Sequence, residues 1–181
     1  NPYTPIRLCG SVSIKEDNMG QIQLTRIDDR LVHGQVMTKW SKGLGINAIF
    51  IIDTEVAKDD FMKQIFISSG EHAGFKVKVM SIDEAIEYWN TTQFENYKAI
   101  LLFKSVFTVS EAVKKGLPAT LVNIGGIAKR KDTKFIINSV SIGNDEAELL
   151  RELNKEYNVE IFFQMLPDSN KVSLAEALKQ F

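Results

Sequence analysis

Two arginines, two aspartates and a histidine fall within eight residues of this chain, in the string Arg26-Ile27-Asp28-Asp29-Arg30-Leu31-Val32-His33. Residues of these types at this density can move a phosphoryl group. Neutral imidazole is a competent nucleophile toward phosphorus near neutral pH. A carboxylate bonded to one ring nitrogen fixes the tautomer and leaves the other nitrogen to attack. Asp28 and Asp29 are both candidates for that orienting role. Arg26 and Arg30 are candidates to clamp the equatorial oxygens of the phosphoryl in flight, because such transfers are catalysed mostly by positioning and charge neutralisation. Gly34 and Gln35 follow His33 where a helix is expected to begin, and unpaired N–H groups there would favour an anion. The scheme calls for no metal and no cofactor.

Each of these residues also has an ordinary reading. An aspartate can cap the following helix, the arginines can be surface partners of the acids, and a histidine can be a capping or packed residue. Their concentration at one junction favours the chemical reading only if a rigid frame holds them together.

The flanking pattern supplies such a frame. Strand-like runs occur at Gln21 to Ile27, Ala48 to Asp53, Lys76 to Met80, Ala99 to Phe103, Ala119 to Ile124 and Val159 to Met165, with a shorter candidate near Phe135 to Ile137. Helical spacing lies between them. Gly34 to Gly43 presents Val36, Met37 and Trp40, and Val56 to Ser69 presents Phe61, Ile65 and Phe66. Ser81-Ile82-Asp83-Glu84 reads as a capping box before Ala85, Ile86 and Trp89. Thr108 to Lys115, Asp145 to Tyr157 and Ser173 to Lys179 complete the helices. The alternation predicts an α/β fold: a single doubly wound domain, with a mostly parallel open twisted sheet and helices on both faces.

Open parallel sheets bind ligands beyond the carboxyl ends of their strands. That rule selects Asp28 to His33, then Asp53 after the second strand, Lys104 and Ser105 after the fourth, and Gly125 and Gly126 after the fifth. Lys104, Ser105, Gly125 and Gly126 are secondary candidates for phosphate contact, although the glycine pair lacks the lysine of a Walker loop and the third glycine of a dinucleotide fingerprint. Lys129-Arg130-Lys131 with Lys134 reads as a solvated loop, or as a face for an anionic partner. His72 precedes the third strand, at the opposite end of the sheet, and reads as a surface residue. Trp40 reads as core.

Composition narrows the classes. The chain has 181 residues, 44% hydrophobic and 25% charged, which fits one globular domain and neither a disordered nor a disulfide-built one. Lys and Arg number 22 against 23 Asp and Glu, so no overall field draws the chain to nucleic acid. The longest apolar runs, Ala48 to Ile52 and Ala99 to Phe103, are strand-length and too short to span a membrane. Residues 1–18 lack a sustained period and are expected to be a leader or an expression-derived segment, with residues 19–181 forming the domain. The single cysteine, Cys9, falls in that segment, and the absence of an apolar secretion signal suggests a reducing cytoplasm.

Residues 26–36, followed by Trp40, closely resemble the signature of the mannose/fructose/sorbose-type enzyme IIB of the bacterial sugar phosphotransferase system. The resemblance runs over essentially Met19 to Phe181, including Asn123-Ile124-Gly125-Gly126 and Gln164-Met165-Leu166-Pro167. It implies a phosphocarrier in which His33 accepts a phosphoryl group, on Nδ1, from a phosphohistidine of a IIA partner. The group then passes to a sugar brought through membrane IIC and IID subunits. A cytoplasmic protein, peripheral at the inner face of the bacterial membrane through IIC and IID, is implied too, and a homo-oligomer is left open. The residues by themselves leave two rivals. One is a receiver-like aspartyl-phosphate domain, although its acceptor belongs after the third strand, where this chain has Met80-Ser81. The other is a non-catalytic module in which the cluster simply holds an anion.

Overall fold

Ala48–Ile52 is buried at every position, so this strand needs cover on both faces of its sheet. The computed structural model, which describes residues 19–34 and 36–181, supplies it. The expected leader over residues 1–18, Cys9 with it, and the candidate Gln35 lie outside the described residues.

The strands are β1 Gln21–Asp28, β2 Ala48–Ile52, β3 Lys76–Met80, β4 Lys98–Phe103, β5 Leu121–Gly126, β6 Lys134–Ile137, β7 Val140–Ile142, β8 Glu160–Phe163 and β9 Val172–Ser173. Seven form one sheet in the order β3-β2-β4-β1-β5-β8-β9, parallel throughout except for the antiparallel edge strand β9. β6 and β7 pair as a separate antiparallel hairpin. The helices are α1 Ser41–Leu44, entered through a π-helical turn at Val36–Trp40, then α2 Thr54–Lys58, α3 Asp60–His72, α4 Ile82–Thr92, α5 Val106–Lys114, α6 Asn144–Tyr157 and α7 Leu174–Leu178.

Alternation along the strands divides the core in two. Ala48, Phe50 and Ile52 join residues of α4, α5, α6 and α7 in one cluster. Ile49 and Ile51 join Trp40, Val56 and Phe66 in the other, under α1 to α3. This is the doubly wound α/β domain that the pattern predicts. The chain leaves β1 toward β2 on one side and leaves β5 toward β8 on the other, so the carboxyl ends of the adjacent strands β1 and β5 mark the topological switch point.

Several expected boundaries shift, each for a local reason. The helix expected over Val56 to Ser69 is two helices, because Asp53 caps α2 through the Val56 N–H and Asp59 caps α3 through the Met62 N–H. Asp53 is thereby a buried cap rather than a ligand. The fifth strand runs on through Gly125 and Gly126, so the glycine pair sits inside β5 and not in a turn beyond it. The last expected strand ends at Phe163 rather than Met165. β7 and β9, of three and two residues, are too short to announce themselves by alternation. The capping box expected at Ser81 and Glu84 is present.

Candidate functional site

Period-two geometry sends Arg26 and Asp28 to the same face of β1, the face roofed by Trp40. Both side chains are fully buried. A buried guanidinium must find acceptors for its N–H groups, and Arg26 finds four. Its Nη1 donates to Asn123 Oδ1 at 2.5 Å and to the Gln164 carbonyl at 3.3 Å. Its Nη2 donates to Asp28 Oδ2 at 3.2 Å and to the Met165 carbonyl at 3.0 Å. Trp40 lies 5.2 Å from the guanidinium carbon and donates its own indole N–H to the same Met165 carbonyl.

Glycines make this possible. A Cβ built on Gly125 would stand 2.1 Å from the Arg26 guanidinium, and one on Gly126 would stand 2.7 Å from Asp28 Oδ1. The pair was expected to offer amides to a phosphate. Its place is instead filled by the buried ion pair, so that expectation is corrected to a packing role. Arg26 is corrected likewise: with no exposed surface and both Nη atoms engaged, it holds Asp28 and does not reach a phosphoryl in flight.

Asp28 is the hub. Its Oδ1 accepts from the backbone N–H of Arg30 and from Arg30 Nε, both at 3.1 Å, while Oδ2 takes Arg30 Nη2 at 3.2 Å. Oδ2 also lies 3.0 Å from His33 Nε2. Burial alone would push the Asp28 carboxyl up; hydrogen bonds from Arg30 and His33 and the charge of Arg26 together outweigh it and hold the group below the ordinary carboxylate range. An ionised carboxylate can only accept, so His33 Nε2 donates in this contact and, in the neutral ring, the lone pair is on Nδ1. Among the described residues no hydrogen bond engages Nδ1, and the imidazole retains 21% exposure. For Arg26, burial is the largest influence and pulls the guanidinium below its ordinary value, although Asp28 opposes it.

The turn between Asp28 and His33 is set by Leu31, whose N–H bonds to the Asp28 carbonyl at 2.9 Å and whose φ of +56 is left-handed. That conformation costs a non-glycine residue about 1–2 kcal/mol. Burying the leucine side chain, 1% exposed, offsets it by about 1.5–3 kcal/mol. Asp29 points elsewhere: its Oδ2 accepts the Ala128 N–H at 2.8 Å, tying the turn to the segment after β5. Of the two acids, Asp28 meets the imidazole.

The remaining candidates scatter. Gly34 is exposed and helical, so His33 stands just before the helical segment, which continues as a π-helical turn from Val36 to Trp40. Lys104 is exposed and shares a groove of about 350 Å³ with Asp29, Arg30 and Leu31. Ser105 uses its hydroxyl to cap α5. In the basic loop, Lys129 bonds the Thr133 carbonyl, Arg130 pairs with Glu146 and Lys134 bonds the Gln180 carbonyl, while Lys131 is exposed. His72 closes α3, exposed and just before β3, at the far end of the sheet. The sequence reading passed over Asn123 as a site residue. Its signal was a polar amide between Val122 and Ile124 in an otherwise apolar strand. The carbonyls of Gln164 and Met165 leave no such trace, because any residue type carries one. Among the described residues, no three His, Cys, Asp or Glu side chains converge as a metal site.

A doubly wound domain with a carboxylate-bonded histidine at its switch point has the parts of an α/β protein that could carry a group on an imidazole. Residues 22–181 match the family profile of the PTS system sorbose subfamily IIB component. The sorbose-specific EIIB component of Lacticaseibacillus casei is 37% identical over 134 residues, covering 74% of this chain and 81% of its own. The sorbose-specific EIIB component of Klebsiella pneumoniae is 30% identical over 160 residues, covering 88% and 96%. The crystal structure of manxB from Thermoanaerobacter tengcongensis superposes with a TM-score of 0.82 at 44% identity, covering 91% of this chain and 98% of that one. The chain belongs to the sorbose subfamily of phosphotransferase-system IIB components. It is a sugar phosphotransferase-system phosphocarrier, and so a phosphotransferase that works with other proteins of that system. The receiver-like rival also fails on topology, since its sheet order of 2-1-3-4-5 is not the order found here.

Proposed function

We propose that His33 is the phosphoryl acceptor and that Nδ1 is the attacking atom. The observation that carries this reading is the 3.0 Å contact of His33 Nε2 with the buried Asp28 carboxylate, which assigns the lone pair to the other nitrogen. In the forward step the Nδ1–P bond forms as the P–N bond to the donor imidazole breaks, and the donor nitrogen keeps the electron pair. Positive charge develops on the His33 ring, and the Asp28 carboxylate stabilises it. Arg30, its side chain 55% exposed while bonded to Asp28, is the cation placed to meet the phosphoryl oxygens; Lys104 borders the same groove. The Gly34 amide, and Gln35 from outside the described residues, complete the proposed oxyanion contacts.

The donor in this reading is a IIA protein. Phe61 and Phe107, 74% and 43% exposed, lie in the first turns of α3 and α5 at the His33 end of the sheet and give a protein donor apolar ground to dock on. The acceptor is a sugar delivered by membrane IIC and IID subunits, with the IIB protein at the cytoplasmic face. No described helix is long and apolar enough to cross a membrane. Relatives named for sorbose, mannose, fructose and N-acetylgalactosamine bound the sugar class. Intact-mass spectrometry after incubation with phosphorylated IIA tests the assignment. One phosphoryl is expected on the unaltered protein and on His72→Ala, and none on His33→Ala; a phosphorylated His33→Ala protein sinks it.

A further inference from the structure

Asn123 sits directly opposite Arg26 in the β1–β5 register, one strand away from the chemistry and fully buried. An apolar residue would suit a strand flanked by Val122 and Ile124. The amide does two things there that no apolar side chain can. Its Oδ1 accepts Arg26 Nη1, and its Nδ2 donates to the Gln164 carbonyl at 3.1 Å, the same oxygen that Arg26 Nη1 also reaches. The Gln164 side chain in turn donates to the Pro167 and Ser169 carbonyls, closing the loop that follows β8. Arg26 is thus gripped from β5 and from the end of β8, and its free edge is presented to Asp28.

We propose that Asn123 is a positioning residue for phosphoryl transfer: by anchoring Arg26 it fixes Asp28, and through Asp28 it keeps the lone pair of His33 on Nδ1. The inference rests on His33 being the phosphoryl acceptor. The chain of contacts runs from Asn123 to Arg26 to Asp28 to His33, at 2.5, 3.2 and 3.0 Å. Every member before the imidazole is buried, so water cannot replace a lost contact cheaply. With Asn123 truncated, Nη1 keeps only the longer bond to the Gln164 carbonyl. The guanidinium then keeps its Nη2 bonds to Asp28 and the Met165 carbonyl but can tilt about that edge. Asp28 shifts with it against His33, and the preference for the Nε2–H tautomer narrows.

The test reads the tautomer as well as the rate. In the unaltered protein the ring ¹⁵N signals of His33 are expected to place the proton on Nε2. In Asn123→Ala they are expected to shift toward a mixture, and single-turnover transfer from pre-formed phospho-IIA at saturating donor to slow by about tenfold or more. The donor concentration giving half-maximal rate should stay within about twofold, because the exposed docking surface is untouched. Asn123→Asp keeps the shape but gives Arg26 a second carboxylate, which draws it from Asp28 and moves both readouts the same way. That near-isosteric variant, and the ring signals of the unaltered protein, decide the matter even if Asn123→Ala does not fold. Folded variants with the unaltered tautomer and rate overturn the inference, as does an unaltered protein with its proton on Nδ1. Phosphorylation of a residue other than His33 overturns the functional reading and this inference together, whereas phosphorylation of His33 with unmoved variants overturns this inference alone.

Discussion

Three charged or titratable side chains, Arg26, Arg30 and His33, share the buried carboxylate of Asp28, and their exposures assign them different duties. Arg26 is sealed in; Arg30 keeps much of its guanidinium at the surface. Arg30→Ala is therefore expected to slow transfer by about a hundredfold, as when a transition-state donor is removed. Lys131→Ala should change it only a few-fold, and only at low salt, since an exposed loop charge acts on encounter. Rapid-quench rates at two ionic strengths check the contrast, and equal impairment of the two would reduce Arg30 to a docking charge. Asp28 adds a pH dependence of definite sign. Its folded-state value lies below the unfolded one, so its contribution to stability is fully present above about pH 4 and is lost as pH falls through the depressed folded value. Asp28→Asn removes that dependence and strands a buried Arg26, costing about 3–5 kcal/mol at neutral pH. Urea unfolding at pH 7 and pH 3 should show the unaltered protein's advantage over the variant smaller at the lower pH.

At the scale of elements, β5 matters for what it leaves empty. Gly125→Ala puts a methyl group 2.1 Å from a guanidinium that four acceptors hold in place, so the arginine cannot swing aside without orphaning them. The expected cost is about 1–3 kcal/mol of stability, with transfer lost in step as Asp28 shifts. Chemical denaturation and phosphoryl uptake on one preparation check it, and full stability with full transfer would show the cradle to be slack. The sequence made the glycine pair visible but not its purpose, because Cβ-sized room for a side chain from a neighbouring strand depends on register, which no local pattern encodes. The same holds for the choice between Asp28 and Asp29. Adjacent residues on a strand end point to opposite faces, and only the pairing of β1 with β5 shows which face holds the imidazole. By contrast, the parallel strands of the main sheet, the Ser81 capping box and the His33 motif were legible, since hydrophobic period, cap spacing and a dense polar string are local signals.

For the whole molecule, the winding of the sheet decides where these local facts add up. Because β1 and β5 send their chains to opposite sides, a crevice is left at their carboxyl ends, and the partly exposed His33 lies beside it, where the proposed protein donor would reach it. The charge arrangement at that opening also governs what the transfer requires from solution. A kinase neutralises the phosphoryl oxygens with magnesium held on acidic side chains. Here both lobes of Asp28 are occupied by Arg30, Arg26 and His33, and Asp29 accepts the Ala128 N–H, so neither acid presents a free pair of oxygens for a divalent cation. In the proposed reading, neutralisation falls to Arg30 and the Gly34 amide. Transfer from purified, metal-free phospho-IIA is accordingly expected to run in excess EDTA at the rate found with magnesium present, within about twofold. A strict requirement for added magnesium would mean that Asp28 gives up its arginines for a metal during turnover, and the contacts that orient His33 would have to be redrawn.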